Sequence, residues 1–189
     1  VRAGGQGPSR DVDPATGRRA VSLPSEPTAY VALGANLGDR AAQLRAAAEE
    51  LERLAPVAAR SRIYACPAVG GPPGQPDYLN AVVALRAGAW LGREEALLAE
   101  LLGIEARLGR LRRERWGPRL IDLDLLDVAG AVRLGGPLRL PHPRLEERAF
   151  VLAPLLDVAP AWRHPLTGRR AVDALRRLDD APERSAESW

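Results

Sequence analysis

At 189 residues, with 27 basic and 24 acidic side chains, the chain has room for one sizeable core and carries a net charge of only +3. No apolar run approaches the roughly 20 residues that cross a bilayer, and no charged segment followed by an apolar stretch opens the chain, so a soluble cytoplasmic protein is expected. The single cysteine, Cys66, excludes an internal disulfide framework, and the absence of any lysine excludes both a Walker A loop and a kinase-type strand lysine.

In chain order, residues 1–28 carry Gly, Pro, Ser and charge without periodicity and read as a disordered leader. AYVALG (29–34) reads as a buried strand that turns into a helix N-capped by Asp39. Leu37, Leu44, Leu51 and Leu54 give that helix an apolar stripe, and Pro56 ends it. VAARSRIYA (57–65) and YLNAVVALRA (78–87) read as strands on either side of a Pro/Gly-rich loop, 66–77. A second helix, about 92–108, puts Leu97, Leu101, Ile104 and Leu108 on one face. The basic stretch GRLRRERWGPR then leads into a strand, LIDLDLLDV. The order β-α-β-β-α-β predicts an α+β, ferredoxin-like antiparallel sheet with two helices on one face. From about 131 a hairpin, the stretch LPHPRLEERAF and one or two short helices are expected to complete a domain spanning 29–180, with a charged tail at 181–189.

The strand after the basic stretch poses the chemical question. Side chains at i and i+2 share a strand face, so Asp122 and Asp124 point together while Ile121, Leu123 and Leu125 point into the core. Such a carboxylate pair suits divalent cations bridged by phosphate oxygens, or simply blunts an exposed strand face. Arg110, Arg112, Arg113, Arg115 and Arg119 crowd the approach; they form either a solvated basic loop or a set of guanidinium forks for phosphate. With no lysine in the chain, any nucleotide phosphates must be held by arginines and metal. Together, arginines running into paired aspartates supply both halves of a metal–nucleotide site. His142, between two prolines, is either a surface turn or a site residue, whereas His164 in WRHPLTG reads as structural. Tyr78 and Asn80 share a strand face and can stack on and read a planar heterocycle, or pack in the core. No zinc spacing and no Ser-His-Asp pattern is present.

The stretches ALGANLGDR, QPDYLNAVVAL, IEARLGRLRRERWGPRLIDLDLL and LPHPRLEERAFVLAPLLDVAP, from Tyr30 to about Pro160, resemble the 6-hydroxymethyl-7,8-dihydropterin pyrophosphokinase family in order and spacing. The resemblance implies a Mg-dependent diphosphotransferase of folate biosynthesis that moves a pyrophosphoryl group from ATP to the pterin hydroxymethyl and releases AMP. It assigns two Mg²⁺ to Asp122 and Asp124, and the reacting phosphates to Arg110 and Arg119. Glu105, Arg112, Arg115, Leu125, His142 and Arg148 complete the nucleotide site on this reading. The pterin falls between Trp116 and Phe150, against Cys66, Pro67, Val69, Tyr78 and Asn80. Its partners are then small molecules, with no nucleic acid or membrane, and the chain acts as a monomer.

Three features depart from the family pattern. Ala35 replaces a serine, Cys66 stands where threonine is common, and a basic loop about one residue shorter than in some members blurs the register of Arg112, Arg113 and Arg115. Two other classes share parts of the pattern. An RRM-like RNA-binding module has the same element order but needs closely spaced aromatics on its central strands, where this chain offers single tyrosines. Another Mg-dependent nucleotide transferase on the same fold would share the metal logic and differ in acceptor.

Overall fold

Two strands, β1 (Thr28–Ala35) and β4 (Tyr78–Arg86), pair antiparallel along their whole length, with Thr28 opposite Arg86 and Ala35 opposite Leu79, in a computed structural model that describes residues 26–110, 117–179 and 182–189. Both are rich in Ala, Val and Leu because both of their faces are covered over most of their length, and a strand buried on two sides needs no polar alternation. β5 (Asp122–Val128) pairs antiparallel with the free side of β1, while β2 (Val57–Arg60) and β3 (Tyr64–Cys66) share the free side of β4. The expected ferredoxin-like α+β core is therefore present.

α1 (Arg40–Leu54) and α2 (Glu94–Arg107) cover one face, burying Leu44 and Leu51 from the first and Leu97, Leu101 and Ile104 from the second against Val31, Leu33, Val83, Leu85, Leu123 and Leu125. Each fully buried leucine contributes roughly 1.5–3 kcal/mol. The Asp39 carboxylate accepts from the Ala42 amide at 2.9 Å, as the N-cap reading requires. Leu37 and Leu108 lie just outside the two helices they were expected to stripe.

Three expectations need correction. The segment 57–65 is not one strand: between Arg60, opposite Val83, and Tyr64, opposite Asn80, it advances four residues against three on β4. The Ser61 hydroxyl accepts the Val82 amide at 2.9 Å, and Ser61 N–H donates to the Val82 carbonyl at 2.9 Å, so a side chain stands in for the ladder at the break. The last residues of the expected leader belong to the sheet, since Thr28 opens β1 and the Pro27 carbonyl accepts from Ala87 at 2.7 Å; residues 1–25 of that leader lie outside the described residues. Part of the stretch expected as a charged tail, 181–189, packs on the sheet. Glu183–Arg184 forms β6 on β3, and the Trp189 indole donates to the Ser61 carbonyl at 2.5 Å.

The second face of the sheet is half covered. α3 (Ala149–Val158) and α4 (Ala171–Leu175) lay Val151, Leu152, Leu155 and Ala171 over Tyr30, Val82, Ala84 and Leu126. Asp127, after a bulge in β5, is buried here and accepts from the Trp162 indole at 3.1 Å. The uncovered half lies over the end of β1 and the beginnings of β4 and β5, where the chemistry-bearing residues sit.

Candidate active site

Register brings the site together. Gly34 of β1 stands opposite Asn80 of β4 on one side and Asp122 of β5 on the other, and two residues back Ala32 stands opposite Asp124. Asp122, Asp124, Tyr78 and Asn80 therefore share the uncovered face, while Ile121, Leu123 and Leu125 lie in the core on the helix side as expected. Gly34 leaves room for the face above it: a Cβ built there would sit 3.3 Å from Asn80 Oδ1, close enough to push that amide by a few tenths of an ångström, and 3.7 Å from the Tyr78 ring.

Two cavities meet at the aspartates. The first is lined by Cys66, Pro67, Val69, Tyr78, Asn80 and Phe150, which are all of the expected pterin residues except Trp116. The second holds Glu105, Arg110, Leu125 and His142 together with Leu98, Leu102 and the turn 136–139. Arg119, Asp122 and Asp124 line both. Arg148, expected on the nucleotide side, lines the first cavity instead, over the Phe150 ring and bonded to Asp124 at 3.2 Å, because it sits at the N-terminus of α3. Arg112, Arg113, Arg115 and Trp116 lie outside the described residues.

The charges at this divide are paired. Asp122 accepts from Arg110 at 2.6 Å and from Arg119 at 2.5 Å; Arg110 also reaches Glu105. Glu105 is 2% exposed, and its Oε1 accepts the Leu123 amide at 2.7 Å, fixing the start of β5. Burial pushes the Glu105 carboxyl upward, while the Leu123 amide, the Arg110 guanidinium and their hydrogen bonds pull the other way. The His142 Nδ1 accepts the Arg144 amide at 3.1 Å, which places the ring proton on Nε2. Burial holds this imidazole below its ordinary range, against the pull of Asp124, so it is neutral near pH 7. His164 Nδ1 accepts from Leu166 and Thr167 within its own turn, the structural role expected of it.

Several site residues escape the sequence reading: Gly34, Asn36, Gln75, Leu98 and Leu102. Only Gly34 carried a usable signal, a glycine inside a strand. Among the described residues no group of three or more His, Cys, Asp or Glu is placed to hold a metal ion. Asp122 and Asp124, with side chains 22% and 36% exposed, form a two-carboxylate site. That fits Mg²⁺, which binds through one or two carboxylates and takes its remaining ligands from phosphate and water.

An α+β sheet whose strand ends set paired aspartates and arginines between an aromatic-lined slot and a polar cavity defines an enzyme of the phosphoryl-transfer class. The model of the 7,8-dihydro-6-hydroxymethylpterin-pyrophosphokinase family matches residues 30–160. The chain is 43% identical over 153 residues to the 2-amino-4-hydroxy-6-hydroxymethyldihydropteridine pyrophosphokinase of Methylorubrum extorquens, covering 80% of this chain and 93% of the relative. It is 39% identical over 158 residues to the enzyme of that name from Synechocystis, covering 80% and 76%. The chain belongs to the 7,8-dihydro-6-hydroxymethylpterin-pyrophosphokinase family. Solved structures of Plasmodium falciparum HPPK-DHPS share its fold, the wild type with SDX-DHP at a TM-score of 0.59 and 11% identity over 80% of this chain. The chain spans 44% of that longer protein.

Proposed function

We propose that the chain transfers a pyrophosphoryl group from ATP to the hydroxymethyl group of 6-hydroxymethyl-7,8-dihydropterin, releasing AMP. The observation that carries this reading is the shared lining: Arg119, Asp122 and Asp124 belong at once to the aromatic slot and to the polar cavity, so a group passing between ligands in the two must pass these side chains.

The acceptor oxygen attacks the β-phosphorus, the bond from that phosphorus to the α–β bridging oxygen breaks, and AMP departs as the hydroxyl loses its proton. Asn80 and Tyr78 orient the heterocycle, and Phe150 gives it an apolar wall. Arg110 and Arg119, which hold Asp122, turn their forks to phosphate oxygens once nucleotide enters. His142, its Nδ1 already engaged, donates from Nε2 rather than acting as a base. Asp122 and Asp124 would hold the Mg²⁺ ions, two on this reading, whose chemistry is to neutralise phosphate charge. The rate enhancement then comes from positioning and charge stabilisation more than from proton abstraction.

The same reading makes the enzyme a cytoplasmic monomer that binds small molecules and not nucleic acid. Supporting it, α3 and α4 cover much of the sheet face that an RNA-binding platform would present. No helix among the described residues is long and apolar enough to cross a membrane. The test is to incubate the protein with MgATP and the pterin and to resolve the nucleotides. AMP should form in step with diphosphorylated pterin and only when pterin is present. ADP as the main product, or hydrolysis without pterin, would overturn the reading in favour of another nucleotide transferase.

A further inference from the structure

Asn36 follows β1 and is 1% exposed; it lines neither cavity but sits behind residues that do. Its Oδ1 accepts the Arg119 backbone N–H at 2.7 Å, and its own backbone N–H donates to the Arg119 carbonyl at 3.0 Å. One residue thus holds both backbone polar groups of Arg119, whose guanidinium meets Asp122 at 2.5 Å. The other end of the same side chain turns away from Arg119. Nδ2 donates to Gln75 Oε1 and to the Pro76 carbonyl, each at 3.3 Å, and Gln75 Nε2 donates onward to the Gly70 carbonyl at 3.1 Å.

The segment reached in this way, 67–76, forms a wall of the aromatic slot through Pro67, Val69 and Gln75. Three of its glycines, Gly70, Gly71 and Gly74, have positive φ, so the backbone there has wide intrinsic freedom and depends on such ties for a single shape. A primary amide alone among uncharged side chains of this size offers an acceptor to one neighbour and two donors to another. Aspartate would lack the donors and leucine would lack both.

We infer that Asn36 is a positioning residue that holds the backbone of Arg119 with one end and the slot wall 67–76 with the other, so that one buried side chain sets both the phosphate-binding guanidinium and the pterin wall. This rests on the pyrophosphokinase reading of the site. Asn36 acts through Arg119 on the transfer step and through Gln75 and Pro76 on pterin binding, and the two actions separate in kinetics.

The experiment compares the wild type with Asn36→Ala, Arg119→Ala, the double variant and Gln75→Ala in the AMP assay. Asn36→Ala should lower kcat by about 10²-fold, the scale of a misplacement near 1 Å at a reacting group. It should also raise the pterin KM by roughly 2–10-fold, the worth of a lost hydrogen bond. With Arg119 already alanine, adding Asn36→Ala should change kcat less than about 2-fold and still raise the pterin KM, because a residue that acts through another has nothing left to position. Gln75→Ala, at a half-buried loop position, should raise the pterin KM and leave kcat within about 2-fold. Losses in kcat that multiply in the double variant, or wild-type kcat in Asn36→Ala, would overturn the inference. So would an unchanged pterin KM in Gln75→Ala, a result that counts even if Asn36→Ala does not fold. A wild type that forms no AMP overturns the functional reading and this inference with it, whereas an active wild type with indifferent variants overturns the positioning role of Asn36 alone.

Discussion

Asp122→Asn and Asp124→Asn should both abolish most turnover, but they should not cost the same in stability. Two carboxylates on one strand face, considered alone, repel, and removing either would relieve the strand. The structure reverses that expectation for Asp122. It accepts from Arg110 at 2.6 Å and Arg119 at 2.5 Å in a site where all three side chains are at most 22% exposed. Hydrogen bonds to charged groups contribute roughly 1.5–3 kcal/mol each when lost outright. Asparagine keeps one acceptor oxygen, and Arg110 keeps Glu105, so the net cost should be about 1–2 kcal/mol. Asp124 is 36% exposed and among the described residues pairs with Arg148 at 3.2 Å, so its replacement falls with surface ion pairs, at roughly 0–1 kcal/mol. For a chain of this size 1 kcal/mol moves the melting temperature by about 2–4 °C. Differential scanning of the ligand-free proteins should therefore show Asp122→Asn melting about 2–8 °C low and Asp124→Asn near the wild type. Turnover of both should fall by orders of magnitude. Equal melting temperatures, or near-normal turnover in either variant, would refute the argument.

Gly34→Ala should raise the pterin KM about 10-fold and leave the ATP KM unchanged, since the new Cβ meets Asn80 Oδ1 at 3.3 Å on the slot side; equal effects on both substrates would count against the slot assignment. Asp127→Asn should stabilise the protein in a pH-dependent way. Asp127 Oδ1 is buried without a partner among the described residues, and burial raises this carboxyl above its ordinary value, so its stability contribution is full below the unfolded pKa and is lost as pH rises through the folded one. The variant should melt a few degrees above the wild type at pH 8, with the gap closing towards pH 4; a constant gap would refute the cause given. Deleting residues 1–25 should leave turnover and melting temperature unchanged. Deleting 1–28 should lower the melting temperature, because it removes the Pro27 carbonyl that accepts from Ala87 and the Thr28–Arg86 end of the central strand pair.

The core elements were legible because each is written in one periodicity: Leu44 and Leu51 at helical spacing, the apolar run of β1, the alternation from Ile121 to Leu125. Legibility ended where a side chain replaces the backbone. Nothing in VAARSRIYA announces that the Ser61 hydroxyl will take the Val82 amide and split the strand. Asn36 was hidden for the same reason, since its neighbours Gln75 and Arg119 are far away in sequence and meet it only once β1, β4 and β5 are in register.

The charged residues were legible as a set but not in their pairing. A basic stretch followed by paired aspartates is compatible with two arrangements, in which the groups wait for ligands or neutralise one another. The fold selects the second, with Arg110 and Arg119 on Asp122 and Arg148 on Asp124. A bare anion entering here would leave carboxylates unpaired, and a bare cation would leave guanidiniums unpaired, each a costly outcome in a half-buried site. On the proposed reading, a phosphate chain arriving with divalent cations would satisfy both sets together, exchanging arginine for oxygen and aspartate for metal without stranding a charge. On that reading the internal pairing would favour metal–nucleotide over either component alone. Free ATP without Mg²⁺ should accordingly bind more weakly than MgATP by more than one coordination contact would explain.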